Sequence, residues 1–383
     1  MDAGSDYDLV TVRRGRGGVT TRERLKGRDI AVKSQFSVRA GDFLISKRQI
    51  VHGACGLVPP KLDGSIVSNE YAVLLGRPSI DLDFLNYLSH SIYFQQTCFH
   101  SAIGVHVEKM IFNLERWLSW DFDLPPVSEQ RRIAEILSTW DRAIETVERL
   151  IANARLQKQA LMMELLVGDR RLRGCSGEWR TLTLGQAAEV IVSNVDKKSV
   201  AGERPIRLCN YTDVYRTDRI EADAPFMRAT ATPAQIGRFG LKVGDVLITK
   251  DSETPDDIAV PSYVASDAED LVCGYHLAIV RPNIGTDGQF LKFYFEHPHT
   301  RSFFASRANG ATRFGLTVDA IESAPIRLPP LPEQRRIADA IATAEREIGR
   351  LSPIVITLQK EKSALMQQLL TGKRRVKLDA RAA

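Results

Sequence analysis

LPPVSEQRRIAEIL occupies residues 124–137, and LPPLPEQRRIADAI occupies 328–341, 204 positions later. The comparison runs on without a gap to GDRRLR at 168–173 and GKRRVK at 372–377, with 21 of 50 aligned positions identical. The repeat divides the chain into 1–123, the first copy at 124–173, then 174–327, the second copy at 328–377 and a tail at 378–383.

Within the first copy, Ile133, Leu137, Trp140, Ile144, Val147, Ile151, Ala154, Leu161 and Leu165 recur in alternating steps of four and three. Ile337, Ile341, Ala344, Ile348, Leu351, Val355, Leu358, Leu365 and Leu369 keep the same register. This is the a/d pattern of a coiled coil. The one polar slot is the same in both copies, Lys158 and Lys362. A polar residue there either fixes register at a cost in stability or lays its stem on the seam with its ammonium in water.

Leu-Pro-Pro cannot continue a helix backwards, because proline lacks a donor and fixes φ. Ser128 is expected to cap the first helix and Pro332 to sit at the first position of the second. Gly168 and Gly372 supply the stops, followed by arginines that suit a helix C-terminus. A helix over about 128–167 would be about 60 Å long. Pro353 falls inside the second helix and is expected to kink or break it. Two such narrow stripes in one chain most economically bury each other, parallel or antiparallel.

The segments between the repeats read as mixed α/β globules. Strands are expected at Phe43-Leu44-Ile45, Tyr71 to Leu75, Val246-Leu247-Ile248 and Leu277 to Val280, and helices at Asp83 to Gln96 and Gly288 to Phe304. GDFLISK at 41–47 parallels GDVLITK at 244–250, and DFLNYL at 83–88 parallels QFLKFY at 289–294. The duplication therefore covers whole halves, with the globules diverging. WRTLTLGQAAEV at 179–190 opens the second globule, whereas the first starts almost at once with YDLVTVRRG and shows no matching L-G-Q stretch, its start being either naturally short or truncated.

Composition narrows the class. The chain is 44% hydrophobic and 26% charged with a net charge of +5, which permits a polyanionic partner. Cysteines at 55, 98, 175, 209 and 273 form no C-x-x-C pair, so neither a disulfide framework nor a zinc ribbon is expected. The opening MDAGSDYDL is acidic, unlike a signal peptide, and no apolar run reaches membrane length. A cytoplasmic location is expected.

A rigid spacer between two similar but unlike globules suits DNA, whose half-sites lie about 34 Å apart per helical turn. At this point the chain resembles the specificity subunits of type I restriction-modification systems. The likeness rests on LPPVSEQRRIA and LPPLPEQRRIA, on QKQALMMELLVG and QKEKSALMQQLLTG, and on GDFLISKRQ, IVSNEYAVL and GDVLITK. It implies an α+β fold in which two target-recognition globules are separated by two long antiparallel helices with pseudo-two-fold symmetry. It further implies that the chain reads an asymmetric, bipartite site in double-stranded DNA and is not itself an enzyme. Two adenine methyltransferase subunits and the restriction and motor subunits would be its partners. No cofactor is implied for this chain; S-adenosylmethionine, ATP and Mg would belong to those partners.

Candidate DNA contacts are cationic or polar side chains at strand ends, because phosphates take Lys and Arg while base edges take polar tips. In the first globule these are Arg13, Arg14, Arg16, Lys47, Arg48, Asn69, Tyr71, His106 and Lys109. In the second they are Lys197, Lys198, Lys250, Tyr275, His276, Arg307, Asn309 and Arg313, of which Arg307 and Arg313 could pair with guanine. Glu129, Gln130, Arg131 and Arg132, with Glu333, Gln334, Arg335 and Arg336, recur at the mouth of each helix and would offer two equal docking sites. The alternative is that they brace helix to globule.

Catalysis has little to rest on. No G-x-x-x-x-G-K-[ST] loop or N-P-P-[FYW] tetrad occurs, and Asp196-Lys197-Lys198 lacks a preceding Pro-Asp. His297-Pro-His299 lacks a third ligand at metal spacing. The rival reading is a coiled-coil scaffold joining two protein-interaction domains without DNA.

Overall fold

The computed structural model describes residues 2–32, 34–266 and 268–377; the tail at 378–383 lies outside them. Two long helices dominate: α1 spans Val127–Leu165 and α2 spans Leu331–Leu370. The chain divides into two compact units, one of 1–149 with 353–383 and one of 150–352. These do not follow the four sequence segments, because both cuts fall inside the long helices. Each unit holds half of α1 and half of α2.

In the first unit a four-stranded sheet runs in the order Val19–Lys26, Asp6–Val12, Ile66–Ser68, Gln35–Ser37. A three-stranded sheet places Phe43–Ser46 between Cys55–Leu57 and Tyr71–Leu74. Phe43, Leu44 and Ile45 are fully buried, as an uninterrupted apolar run must be when both faces of its strand are covered. One core cluster joins Phe43 and Ile45 to Phe84, Phe94, Trp117, Ile133, Leu137 and Leu369. The long helices are thus part of the globule's own core.

The second unit repeats the plan. Val246–Thr249 lies between Pro261–Val264 and Leu277–Pro282, and that sheet gains Ala188–Val192 at one edge and Arg219–Ile220 at the other. A second sheet runs Met227–Ala231, Arg204–Cys209, Leu271–Cys273. Individual hydrogen bonds repeat as well. Gly41 N–H donates to Val58 at 2.9 Å and Gly244 N–H to Val264 at 3.0 Å, both glycines at positive φ of 88° and 95°. Asp42 accepts the Arg39 amide and Asp245 the Lys242 amide. The GD-x-LI-[ST]-K match therefore encodes a turn that needs glycine's left-handed freedom, followed by the central strand.

Two sequence expectations need correction. The expected helix at 83–96 is two helices, Leu82–Leu88 and Ile92–His100, because Ser91 caps the second by accepting the Phe94 amide. The expected helix at 288–304 is likewise Gly288–Glu296 and Pro298–Arg307, broken where Pro298 supplies no amide. α2, by contrast, is uninterrupted through Pro353. The residue four back, whose carbonyl the proline leaves without its amide donor, is Gly349.

Every seam position in α1 and α2 is buried or half-buried. In the first unit Glu129 meets Arg375, Asp141 meets Lys362 and Glu148 meets Gln359. In the second Lys158 meets Glu345 and Arg171 meets Glu333. Arg171 and Arg375 lie just past the ends of α1 and α2, and numbers rise along one repeat copy as they fall along the other, so within each unit the helices are antiparallel.

Candidate nucleic-acid interface

The first unit gathers the sequence-chosen residues from four loops. The turn 13–18 is pinned where Gly15 N–H donates to His52 at 2.7 Å and Arg16 N–H to Gly53 at 2.9 Å. Arg14 reaches Gln49 at 2.6 Å and Glu108 at 3.0 Å, which places the turn beside His106 and Lys109. Lys47 Nζ donates to the Asn69 carbonyl at 2.8 Å, and Arg48 pairs with Glu70. Lys47, Asn69 and Tyr71 line one cavity of about 520 Å3 with Phe36 and Arg39. Arg13, Arg14, Arg48, Asn69, His106 and Lys109 are exposed.

In the second unit Lys197, Tyr275, His276 and Arg313 line a cavity of about 480 Å3. Lys250 Nζ reaches Asp251 at 3.0 Å, and the His276 imidazole pairs with the same carboxylate. Lys198 is exposed and paired with Asp196. Arg307 lies over the Phe303 ring at 5.1 Å, at the end of its helix. Asn309 exchanges backbone bonds with Gly315 and so ties the 309–315 loop to the Asp251–Ser252 strand.

Lys47 and Lys250 occupy equivalent places. The Lys47 amide donates to Glu70 and its carbonyl accepts from Phe112; the Lys250 amide donates to His276 and its carbonyl accepts from Leu316. Around them the neighbours differ: Asn69 and Tyr71 in one unit, Tyr275 and His276 in the other. Sequence reasoning missed the acidic organisers Glu108 and Asp251, which aim the cations, and the Tyr211–Tyr215 stack at 5.6 Å beside the second cavity. Only the i, i+4 spacing of those tyrosines on a short helix could have signalled them.

The mouths of the long helices are built alike. α1 starts at Val127, one residue ahead of Ser128, because the Pro126 carbonyl accepts the Glu129 and Gln130 amides; Pro330 does the same for Glu333 and Gln334. Gln130 Oε1 accepts the Asp81 amide while its Nε2 donates to Ser79 and Pro125. Gln334 treats Asp287, Gly285 and Pro329 identically. Glu129 takes Arg375, and Glu333 takes Arg171. Glu129, Gln130, Glu333 and Gln334 are at most 4% exposed. They are spent on bracing, which corrects the expectation that all eight form a docking surface. Arg131, Arg132, Arg335 and Arg336 face solvent.

Asp218, Glu296 and Glu345 converge closely enough to suggest a cation site. Lys158 and Lys292 already neutralise them, with Lys292 Nζ 2.6 Å from both Glu296 and Glu345. Burial alone would lower the Lys158 pKa; Glu296 and Glu345 outweigh it and lift it to about 12. Among the described residues no helix is long and apolar enough to cross a membrane.

The type I restriction modification DNA specificity domain matches this chain over residues 11–154 and again over 178–357. The chain belongs to that family. Each match begins near the start of a globule and ends inside the long helix that follows it. A putative type I restriction enzyme MjaX specificity subunit of Methanocaldococcus jannaschii is 26% identical over 266 residues, covering 66% of this chain and 59% of that protein. The chain thus spans about three fifths of that relative. The MjaVIII specificity subunit of the same organism is 21% identical, over 76% of this chain and 70% of its own. Among solved structures, the type I restriction-modification system S subunit from M. genitalium superposes with a TM-score of 0.56 at 14% identity, covering 98% of this chain and 96% of its own. A chain from a study of complex assembly and conformational transition of the type I R-M system gives 0.51 at 19%, covering 96% and 92%. At these identities the likeness establishes the specificity-domain fold.

Proposed function

We propose that this chain is the DNA-reading subunit of a type I restriction-modification complex, binding an asymmetric, bipartite site in double-stranded DNA. The observation that carries this reading is the equivalence of Lys47 and Lys250. The same backbone bonds hold a cationic strand end in both units while the flanking tips differ, which suits two readers of unlike half-sites. The chain performs no chemistry in this reading; two adenine methyltransferase subunits and the restriction and motor subunits do, using S-adenosylmethionine, ATP and Mg. The exposed arginine pairs Arg131-Arg132 and Arg335-Arg336 stand at equivalent helix mouths and support two equal docking sites for the methyltransferase. The complex works in the cytoplasm. α1, at 39 residues, is about 58 Å long, enough to set a spacer between half-sites.

The test is a gel shift on random duplex DNA across a salt series, with the chain alone and with a cognate methyltransferase subunit. A DNA reader loses affinity steeply as salt rises. Affinity that ignores salt would favour the scaffold reading.

A further inference from the structure

One loop holds the same place in both units and differs in what it presents. The Phe112 amide donates to the Lys47 carbonyl at 2.8 Å, and the Leu316 amide to the Lys250 carbonyl at 2.9 Å. Next along, Asn113 caps Leu114–Leu118 and Thr317 caps Val318–Glu322. Residues 103–111 and 307–315 are thus one loop at the 204-residue offset. Where the second copy has Arg307, Asn309 and Gly315, the first has Ile103, Val105 and Ile111.

The first copy turns its aliphatic side chains outward. Ala102–Ile103 pairs antiparallel with Ile111–Phe112, Ile103 opposite Ile111 and Ala102 opposite Phe112, and residues directly opposite share a face. Ala102 and Phe112 are buried, so the two isoleucines stand on the outer face, 58% and 47% exposed. Between them Val105 is 96% and Val107 46% exposed. At φ 155° Gly104 draws the arms together, and an added Cβ would lie 2.9 Å from Met110 Cα. Four solvent-facing aliphatic side chains in one tight loop mark a contact surface.

Cations rim that surface. Glu108 within the loop pairs with Arg14 at 3.0 Å and His52 at 3.3 Å, while exposed His106 and Lys109 have no ion pair among the described residues. In the second unit the equivalent loop is likewise exposed from Asn309 to Arg313, with the strands at 180–183 and 188–192 paired elsewhere. Arg313 there lines the cavity with Lys197 and His276. An aliphatic tip in a cationic rim fits a polyanion that also offers an apolar group. In the major groove of DNA that group is the thymine methyl.

We infer that the loop 103–111 makes the first reader select thymine, with Val105 and Val107 closing on thymine methyl groups in the major groove and Lys109 against a phosphate. An aliphatic tip neither donates nor accepts, so a base turning an amino or carbonyl group toward it would lose water without gaining a bond. A methyl group carries no such cost, and its burial is favourable. The inference rests on the DNA reading proposed above, and it gives the first half-site an A·T pair at a fixed place.

The test uses the full chain with its methyltransferase subunit, on a duplex carrying the motif that methylome sequencing returns. Each thymine is replaced in turn by deoxyuridine, which keeps the base pair and lacks the methyl. At least one replacement should weaken binding about fourfold, the factor for one buried methyl-sized group, in the half that Arg313→Ala leaves intact. The double variant Val105→Ala, Val107→Ala should bind the thymine duplex more weakly by a similar factor and be indifferent to that replacement. If the parent chain binds every deoxyuridine duplex as it binds thymine, the inference is overturned while the DNA reading stands. A variant that keeps the parent's sensitivity overturns it too, as does one that loses the methyltransferase in place of DNA, which would make the loop a protein contact. Binding to no duplex would overturn the DNA reading and this inference together. The deoxyuridine series needs no substitution in the chain, so a folding defect in the variant does not shield the inference.

Discussion

Lys362 Nζ lies 2.5 Å from Asp141 Oδ1, reaching from α2 to α1. Shifted by 204 residues, the same pair is Lys158 and Glu345, at 2.6 Å. Each lysine also sits over an aromatic ring of its own globule, Lys362 over Tyr87 at 5.5 Å and Lys158 over Phe293 at 5.6 Å. The polar slot in the seam is therefore an ion-paired tie between two helices and a globule. It is not an ammonium released to water.

This reverses a simple expectation from the heptads, that leucine at both slots would stabilise. Lys158→Leu would leave Glu296 and Glu345 sharing Lys292 alone, and removing one partner of a buried pair is costly. The expected loss is about 2 kcal/mol or more, seen as a lower Tm. Lys362→Leu leaves Asp141, which is 45% exposed, so water takes over and the loss stays within about 1 kcal/mol. Equal effects would mean that the charge network around Glu345 contributes nothing.

Gln334 is fully buried and satisfies one amide and two carbonyls. Gln334→Ala should cost about 3 kcal/mol through those orphaned groups, and Gln130→Ala should behave alike. Arg335→Ala, on the exposed side of the same turn, should change stability by no more than about 0.5 kcal/mol. Chemical denaturation of the three variants distinguishes bracing from docking at these positions.

Two groups of the first unit give acid sensitivity in separate windows. Burial, then Arg16 and Lys362, push the His90 pKa down to about 4, with Asp141 opposing. The unfolded value is about 6.5, so this contribution is complete above about 6.5 and is lost as pH falls toward 4. The hydrogen bond from Arg375 holds the Glu129 carboxyl below its usual range, against desolvation. Its contribution is present above the unfolded value of about 4.3 and is lost only below it, as pH falls through the depressed folded value. Tm measured from pH 7.5 to 4.5 should fall, and His90→Gln should flatten that fall. Parallel curves for variant and parent would remove His90 as the cause.

On DNA, Lys197→Ala should weaken binding to all sequences alike and reduce the salt slope by about 1. Arg313→Ala, if it meets a guanine, should relax preference at one base pair at a cost of about 1–3 kcal/mol. Quantitative gel shifts with single-base-pair variants of the target separate the two behaviours.

The long helices were legible in the sequence because a heptad needs only side-chain spacing, and Gly168 and Gly372 mark their ends at positive φ of 79° and 70°. Their starts were misjudged by one residue, since the first helical acceptors are the Pro126 and Pro330 carbonyls, which puts Ser128 and Pro332 already inside the helices. The central strands were legible because their runs are wholly apolar. The roles of Glu129 and Gln130 were not, because their partners, Arg375 and Asp81, are distant in sequence. Likewise, residues such as Lys47 and Asn69 could be chosen singly as strand-end polar tips, but only the fold shows that Lys47 spends its ammonium on the Asn69 carbonyl.

The central claim is that two unlike readers on one chain each specify half of a split DNA site. It is tested most directly by methylome sequencing of cells carrying the chain with its methyltransferase, in parallel with the Arg313→Ala variant. The account expects one split, adenine-methylated motif with unlike halves, of which the variant relaxes one and leaves the other intact. A continuous or palindromic motif, or a variant that alters both halves together, would contradict it.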